Sequence, residues 1–362
     1  MHTPLRIPPS KQQIPVNLGV FSGLLRPRLV LINAVLAVGI FILLVVSITI
    51  GDYPITPHGV LDVFFGGGTR IERMVVLEWR APRSVAAIII GAALGLSGAL
   101  TQSLTRNGLA TPDILGITVG ASAAAVTIIV LGSGTTSALI AWLTGVGIPI
   151  AAFLGAMLTA TVIWIMSFQR KIDTFRLILT GIIVSALLQA YITWIMTRAD
   201  INDATAATFW LNGSLNSASW SRISWLLWVL PVVILLLPWI AYQLRILVLG
   251  DDLARGLGNN VTASQFCLLV LSVLLAALAV AASGPIGFVA FVAPHISRTL
   301  SGLATPPLFG SMISGAFLLI FADLCAQTVF PKELPVGILT SAIGGVFLIY
   351  LLIRSNRKVN AS

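Results

Sequence analysis

Residues 29–50 read LVLINAVLAVGIFILLVVSITI, 22 positions without one charged side chain. As a helix rising about 1.5 Å per residue the stretch is about 33 Å long, enough to cross the hydrocarbon of a bilayer. The rest of the chain has the same character: 57% of its 362 residues are hydrophobic and 9% are charged, where a soluble protein carries about 25% charge. The mean hydropathy is +1.01. This excludes a soluble fold, a disordered chain, a collagen-like chain and a disulfide-stapled domain. Both cysteines, Cys267 and Cys325, lie in apolar runs and form no framework or metal motif. The expected fold class is all-α, a polytopic membrane protein of about ten helices in one bundle.

Apolar runs bounded by charges, Gly or Pro predict the spans Leu29–Ile50, Ser84–Leu104, Ile114–Leu131, Leu139–Phe168 and Leu177–Thr197 in the first half of the chain. Ile223–Tyr242, Gln265–Ser283, Gly287–Leu303, Pro307–Phe330 and Val336–Ile353 follow. The third and eighth are interrupted at Asn107–Gly116 and Pro294. Irregular backbone at membrane depth is tolerated where protein or a water-filled cavity satisfies it, so both breaks are expected against the bundle interior or at its ends. With the N-terminus inside, 14 of the 21 Lys and Arg fall on inner segments, which places both termini in the cytoplasm. The net charge of +9 is then topology, with no nucleic-acid partner implied. The polar, Pro-punctuated residues 1–28 lack the features of a cleaved signal peptide. They read as a cytoplasmic N-terminal segment, ahead of one transmembrane domain over 29–354 and a cytoplasmic tail over 355–362.

Several chemistries are missing. The four lysines follow Ser10, Arg170, Pro331 and Arg357, so no Gly-Lys phosphate loop exists and any ATP must be hydrolysed by another chain. Asp323 is the carboxylate well inside a span, in the outer half of its helix; it reads as a side chain hydrogen-bonded to a neighbouring helix or as the ion site of a secondary carrier. His2, His58 and His295 are scattered and accompany no metal pattern. Catalytic residues and metal ligands are expected to be absent.

Three connections stand out. Leu244–Ser264, LRILVLGDDLARGLGNNVTAS, predicts a helix of about two turns, broken off by Gly250, capped by Asp251 or Asp252 and stopped by Gly256 and Gly258. Leu253 and Leu257 share a face flanked by Arg255, suiting either a partner's groove or the membrane surface. On the outer side Trp79-Arg80-Ala81-Pro82-Arg83 precedes the second span, with Pro82 in the first helical turn and both arginines pointing out of the membrane. Lipid phosphate and an acidic docking partner remain the two readings. Phe209-Trp210-Leu211-Asn212-Gly213-Ser214-Leu215 reads as an interfacial helix at a pathway mouth or as an aromatic belt.

Six strings, WRAPRSVAAIIIGAALGLSGALTQSLTRNGLATPDILG (79–116), IDTFRLILTGI (172–182), FWLNGSLNSASW (209–220), GDDLARGLG (250–258), SGPIGFVAFVAPHISR (283–298) and ADLCAQTVFPKELPVGILTSAIGGVFLI (322–349), resemble the permease subunits of type II ABC importers for iron siderophores, haem and cobalamin. IDTFRLIL and WLNGSLN are most similar to ferric-enterobactin-type, catecholate siderophore permeases. The resemblance implies ten transmembrane helices in a bacterial plasma (inner) membrane. It implies a homologous permease or a second copy as partner, two ATPase subunits carrying ATP and magnesium, and an extracytoplasmic siderophore-binding protein. No cofactor is implied on this chain. By the same resemblance Arg80 and Arg83 meet glutamates of the binding protein; a third family arginine is replaced by Gln327, with Lys332 nearby as substitute. Gly250, Asp251, Asp252, Leu253, Ala254, Arg255, Leu257 and Gly258 fall in the segment that couples to the ATPase. Thr180, Gly181, Ser185 and Gln189 fall on the fifth span, which lines the pathway in relatives. A haem or cobalamin permease, an ion-coupled carrier using Asp323 and a membrane enzyme are the alternatives.

Overall fold

The computed structural model describes residues 14–18, 21–51, 53–132, 147–169, 171–172, 174–330 and 333–359. The described chain is helical apart from two short antiparallel hairpins, β1 (Ile14–Leu18) with β2 (Phe21–Leu25) and β3 (Phe168–Gln169) with β4 (Lys171–Ile172). The first hairpin stands in the N-terminal segment, where the sequence reading had no regular structure. The helices are α1 (Pro27–Thr49), α2 (Pro57–Phe64), α3 (Arg70–Thr105), α4 (Ile117–Gly132), α5 (Gly147–Ser167), α6 (Thr174–Met196) and α7 (Ile201–Leu211). They continue as α8 (Trp220–Val248), α9 (Asp251–Gly256), α10 (Val261–Ser283), α11 (Val289–Ser301), α12 (Leu308–Thr328) and α13 (Val336–Val359).

Seven of these helices are long and apolar enough to cross a membrane alone, and α4 and the apolar part of α13 are shorter. Helix α11, in place of the expected span Gly287–Leu303, has 13 residues and reaches only about 20 Å. The shortfall arises because Gly284 leaves the α10 helix with φ 73 and Phe288 enters α11 with φ 64, so residues between them run irregularly. The expected span Leu139–Phe168 is a helix from Gly147 on, and 139–146 lie outside the described residues.

Helix α3 is the centre, with 89% of its most apolar window buried. Its closest neighbour is α12. A Cβ on Gly91 or Gly95 would strike the backbone of Gly315 or Ser311 on α12, and one on Gly98 would strike Ala290 on α11. In lipid, where apolar burial does not by itself drive helices together, such small residues let backbones approach and van der Waals contact hold them. Ser97 and Thr101 of α3 share hydrogen bonds of 2.7–2.9 Å with Ser272 of α10, satisfying hydroxyls inside the core. Helices α4 and α5 pack beside this group, with Gly120 against Gly155, and meet it through α10.

The sequence reading began the second span at Ser84 with Pro82 in its first turn. Instead the helix starts at Arg70, capped reciprocally by Thr69 and Glu72, and Pro82 lies inside it. A proline there would clash with the carbonyl four residues back and cannot donate. The helix answers with a π stretch, Met74–Arg80, in which Ala81 bonds to Val76 O five residues away. Leu77 O is left without a helical donor, since Pro82 has no N–H. The indole Nε1 of Trp220 donates to it at 2.8 Å and ties the start of α8 to the bend.

Candidate docking and coupling sites

At the end of the bundle where α1 finishes and α8 and α13 begin, Arg80 and Arg83 are drawn into the chain itself. Arg80 donates through Nη1 to Ile48 O (2.9 Å) and Thr49 O (3.2 Å), the last carbonyls of α1, and through Nη2 to Tyr53 O (2.7 Å). Orphan carbonyls at a helix C-terminus attract such a cation. Gly51 makes the approach possible, because a Cβ there would sit 2.5 Å from Nη2.

Arg83 lies on the face of α3 that continues through Ala87, Ile90 and Leu94, all buried. Its guanidinium donates to both oxygens of Asp323 on α12, from Nε (3.1 Å to Oδ2) and Nη2 (3.1 Å to Oδ1), and from Nη1 to Glu333 Oε2 at 3.1 Å. Gln327 Nε2 donates to Asp323 Oδ2 at 2.7 Å and Asn216 Nδ2 to Glu333 Oε2 at 2.8 Å. The side chains of Arg83, Asp323 and Glu333 are 14%, 1% and 50% exposed. The expectation that both arginines point out of the membrane therefore fails at Arg83, because the buried Asp323 carboxylate needs a cation. A cavity of about 420 Å3 opens beside this network, lined among others by Glu78, Trp79, Arg80, Arg83, Asn216 and Glu333. Lys332 lies outside the described residues.

At the opposite end, α9 occupies Asp251–Gly256 as expected in place and length. Its cap differs: Gly250, with φ 98, is the N-cap and neither aspartate caps with its side chain. Glycine tolerates that backbone angle and leaves Asp251 and Asp252 in the first turn, where carboxylates favour the helix dipole. Ala254 is fully buried, whereas Leu253 and Leu257 are 64% and 65% exposed. Asp252, Arg255 and Gly258 are also exposed. The segment thus rests on the bundle by one small side chain and turns two leucines outward.

The four α6 residues divide. Gly181 is buried, with a Cβ position that would collide with Ile114 O, so it seats the 3-10 turn Pro112–Leu115 against α6. Thr180 and Ser185 are half-buried and Gln189 is exposed. The segment 209–215 ends α7 and turns at Gly213 (φ 63), with Trp210 packed on the α4–α5 group and Phe209 exposed. His295 is half-buried edge-on to Phe347.

The sequence reading missed the network partners Glu333 and Asn216 and the role of Arg106, which ends α3 at φ 52 and reaches toward α9. A lone carboxylate within a span was the available signal for the network, since it demands a cation at the same depth. Among the described residues no three His, Cys, Asp or Glu come together as a metal site.

Residues 39–354 match the model of the FecCD transport family. The chain belongs to the FecCD transport family. The FecCD chain is 39% identical over 344 residues to the ferric enterobactin transport system permease protein FepG of Escherichia coli K12, covering 94% of this chain and 99% of the relative. It is 38% identical over 331 residues to the iron(3+)-hydroxamate import system permease protein FhuG of Bacillus subtilis 168, covering 90% and 97%. A solved structure described as a metal-chelate type ABC transporter in an inward-facing conformation superimposes with a TM-score of 0.75 at 28% identity, over 89% of this chain and 99% of that one. As a FecCD permease the chain is a membrane transport subunit of a metal-chelate type ABC importer and is not itself catalytic. It works with an ATPase, a substrate-binding protein and a permease partner. This sets aside both the enzyme and the ion-coupled carrier; Asp323 is held by Arg83.

Proposed function

We propose that this chain imports a ferric siderophore of the catecholate type across a bacterial plasma membrane, crossing it ten times with both termini in the cytoplasm. The observation that carries the substrate class is the end-to-end similarity to a relative named for ferric enterobactin. On this reading the chain pairs with a homologous permease or a second copy of itself, and two ATPase subunits supply ATP and magnesium. The bundle converts their closure into rocking of helices about a midline cavity.

The binding protein docks at the Arg83 end, which faces outward. Because Arg83 is already paired, docking is an exchange of carboxylates: a partner glutamate takes the Nη1 position from Glu333, which is half exposed and held there by one oxygen. Asp323, bidentate and buried, stays. Arg80 lines the same cavity and assists that contact, and Lys332, next to Glu333 in sequence, is a further docking residue on this reading. Helix α9 enters a groove of the ATPase through Leu253 and Leu257, with Gly250, Asp251, Asp252, Ala254, Arg255 and Gly258 shaping the segment. Thr180, Ser185 and Gln189 line the pathway on α6, and Gly181 holds that helix in place.

Uptake by the reconstituted importer, measured with a ferric catecholate and a ferric hydroxamate in parallel, tests the substrate class. Transport of the catecholate and rejection of the hydroxamate is the expected outcome; the reverse preference overturns it.

A further inference from the structure

Helix α9 has little to hold it. Nothing lies within 4 Å of a Cβ built at Gly250, Gly256 or Gly258, and Ala254 alone in the helix is buried. Its exit is tied locally: Asn259 Nδ2 and Ser264 Oγ both donate to Gln243 Oε1, at 2.7 and 3.0 Å, joining the end of α8 to the start of α10. Its entry is tied differently. Arg106, the left-handed residue that terminates α3, donates from Nη2 to Leu247 O at 2.8 Å and places the same nitrogen 3.7 Å from Asp251 Oδ1. One guanidinium thus holds a carbonyl in the last turn of α8 and the first residue of α9. Among the described residues no other ion pair or side-chain hydrogen bond joins α3 to the α8–α9 corner.

The backbone of Arg106 suits this task. Its φ of 52 stops α3 after Thr105, and the N–H of Arg106 still bonds to Gln102 O. Non-glycine residues adopt this conformation uncommonly, and it turns the chain sharply out of the helix axis. Among the described spans the helix it ends is the most enclosed, packed on α12 and α11 through glycine contacts and on α10 through the hydroxyls of Ser97, Thr101 and Ser272. Arg106 therefore stands at one end of a closely packed helix that carries Arg80 and Arg83 toward its other end.

We propose that Arg106 is a positioning residue for transport, which transmits movement of α9 to the central helix α3. This rests on the reading of α9 as the ATPase-coupling helix and adds to it the route by which the movement enters the bundle. An exposed ion pair alone is weak; the short bond to Leu247 O fixes the guanidinium so that Asp251 meets a held charge.

The test uses the full importer in proteoliposomes, with ATP hydrolysis and uptake of a ferric siderophore measured together and the copurified ATPase weighed separately. Arg106→Gln should keep the ATPase in full amount while substrate moved per ATP falls at least about fivefold, the lower end of measured coupling between sites. Arg106→Lys should retain most of the ratio, and Asp251→Asn, an isosteric change at a half-buried carboxylate on the bundle surface, should lower it in the same direction. An unchanged ratio in Arg106→Gln and Asp251→Asn overturns the proposal. Loss of the ATPase from Arg106→Gln also overturns it, by making Arg106 part of the docking surface. Leu257→Asp is the separate control: if that variant keeps its ATPase, the α9 reading itself has failed.

Discussion

Removing Arg83 is the perturbation that most sharply separates structural from docking roles. Arg83→Met strips Asp323 of its cation while the carboxylate stays 1% exposed, with Gln327 Nε2 as its remaining side-chain donor. Breaking a buried pair from one side costs about 3–5 kcal/mol, because the abandoned charge keeps its desolvation penalty. Glu333 loses the same partner but is half exposed and retains Asn216, so water compensates it and it adds little. The double variant Arg83→Met with Asp323→Leu removes both buried charges. Such replacements are often neutral, or stabilising by about 1–4 kcal/mol. The expected order of stability is therefore single variant well below parent, with the double variant back near it. Reversible unfolding in mixed detergent micelles, followed by tryptophan fluorescence, reads this order. Docking of the binding protein should be lost in both variants, since neither offers a guanidinium. A single variant as stable as the parent, or a double variant as unstable as the single, would refute the reasoning.

Other consequences follow from the same geometry. Glu333→Gln should tighten binding-protein docking in nanodiscs, since a neutral amide yields the Nη1 seat more readily; weaker docking would mean that Glu333 itself contacts the partner. Leu257→Asp should reduce copurified ATPase while the permease still inserts, as the exposed leucine face of α9 requires. Gly91→Leu should abolish folding or cost more than the usual about 1–3 kcal/mol of overpacking, because its Cβ meets the Gly315 backbone and not a movable side chain; yield and thermal stability in detergent check this.

The sequence made the helical class and most span positions legible, because twenty apolar residues in lipid leave few options. Helix α9 was legible for the same kind of reason, glycines on both sides of a short leucine-bearing run. What it hid depended on distance or on local backbone detail. The partner of Arg83 is 240 residues away, and no local pattern announces which helix brings a carboxylate to it. The start of α3 was hidden because a proline preceded by a π stretch looks the same in sequence as a proline at a helix start. The reduced length of α11 comes from the positive φ of Phe288, which is not a residue type that advertises it. The packing of Gly181 was hidden as well, since a glycine's neighbour is invisible until the Ile114 carbonyl is placed against it.

On the proposed function, this chain moves a ferric siderophore only as the membrane subunit of an ATP-driven importer. Proteoliposomes holding the chain with its permease partner, loaded from outside with the binding protein and ferric siderophore, test it directly when the ATPase and ATP are supplied or withheld on the opposite face. Uptake that appears only with ATPase, ATP and binding protein together is the predicted result. Uptake that proceeds without nucleotide, or that follows an imposed proton gradient, would instead make the chain a gradient-driven carrier.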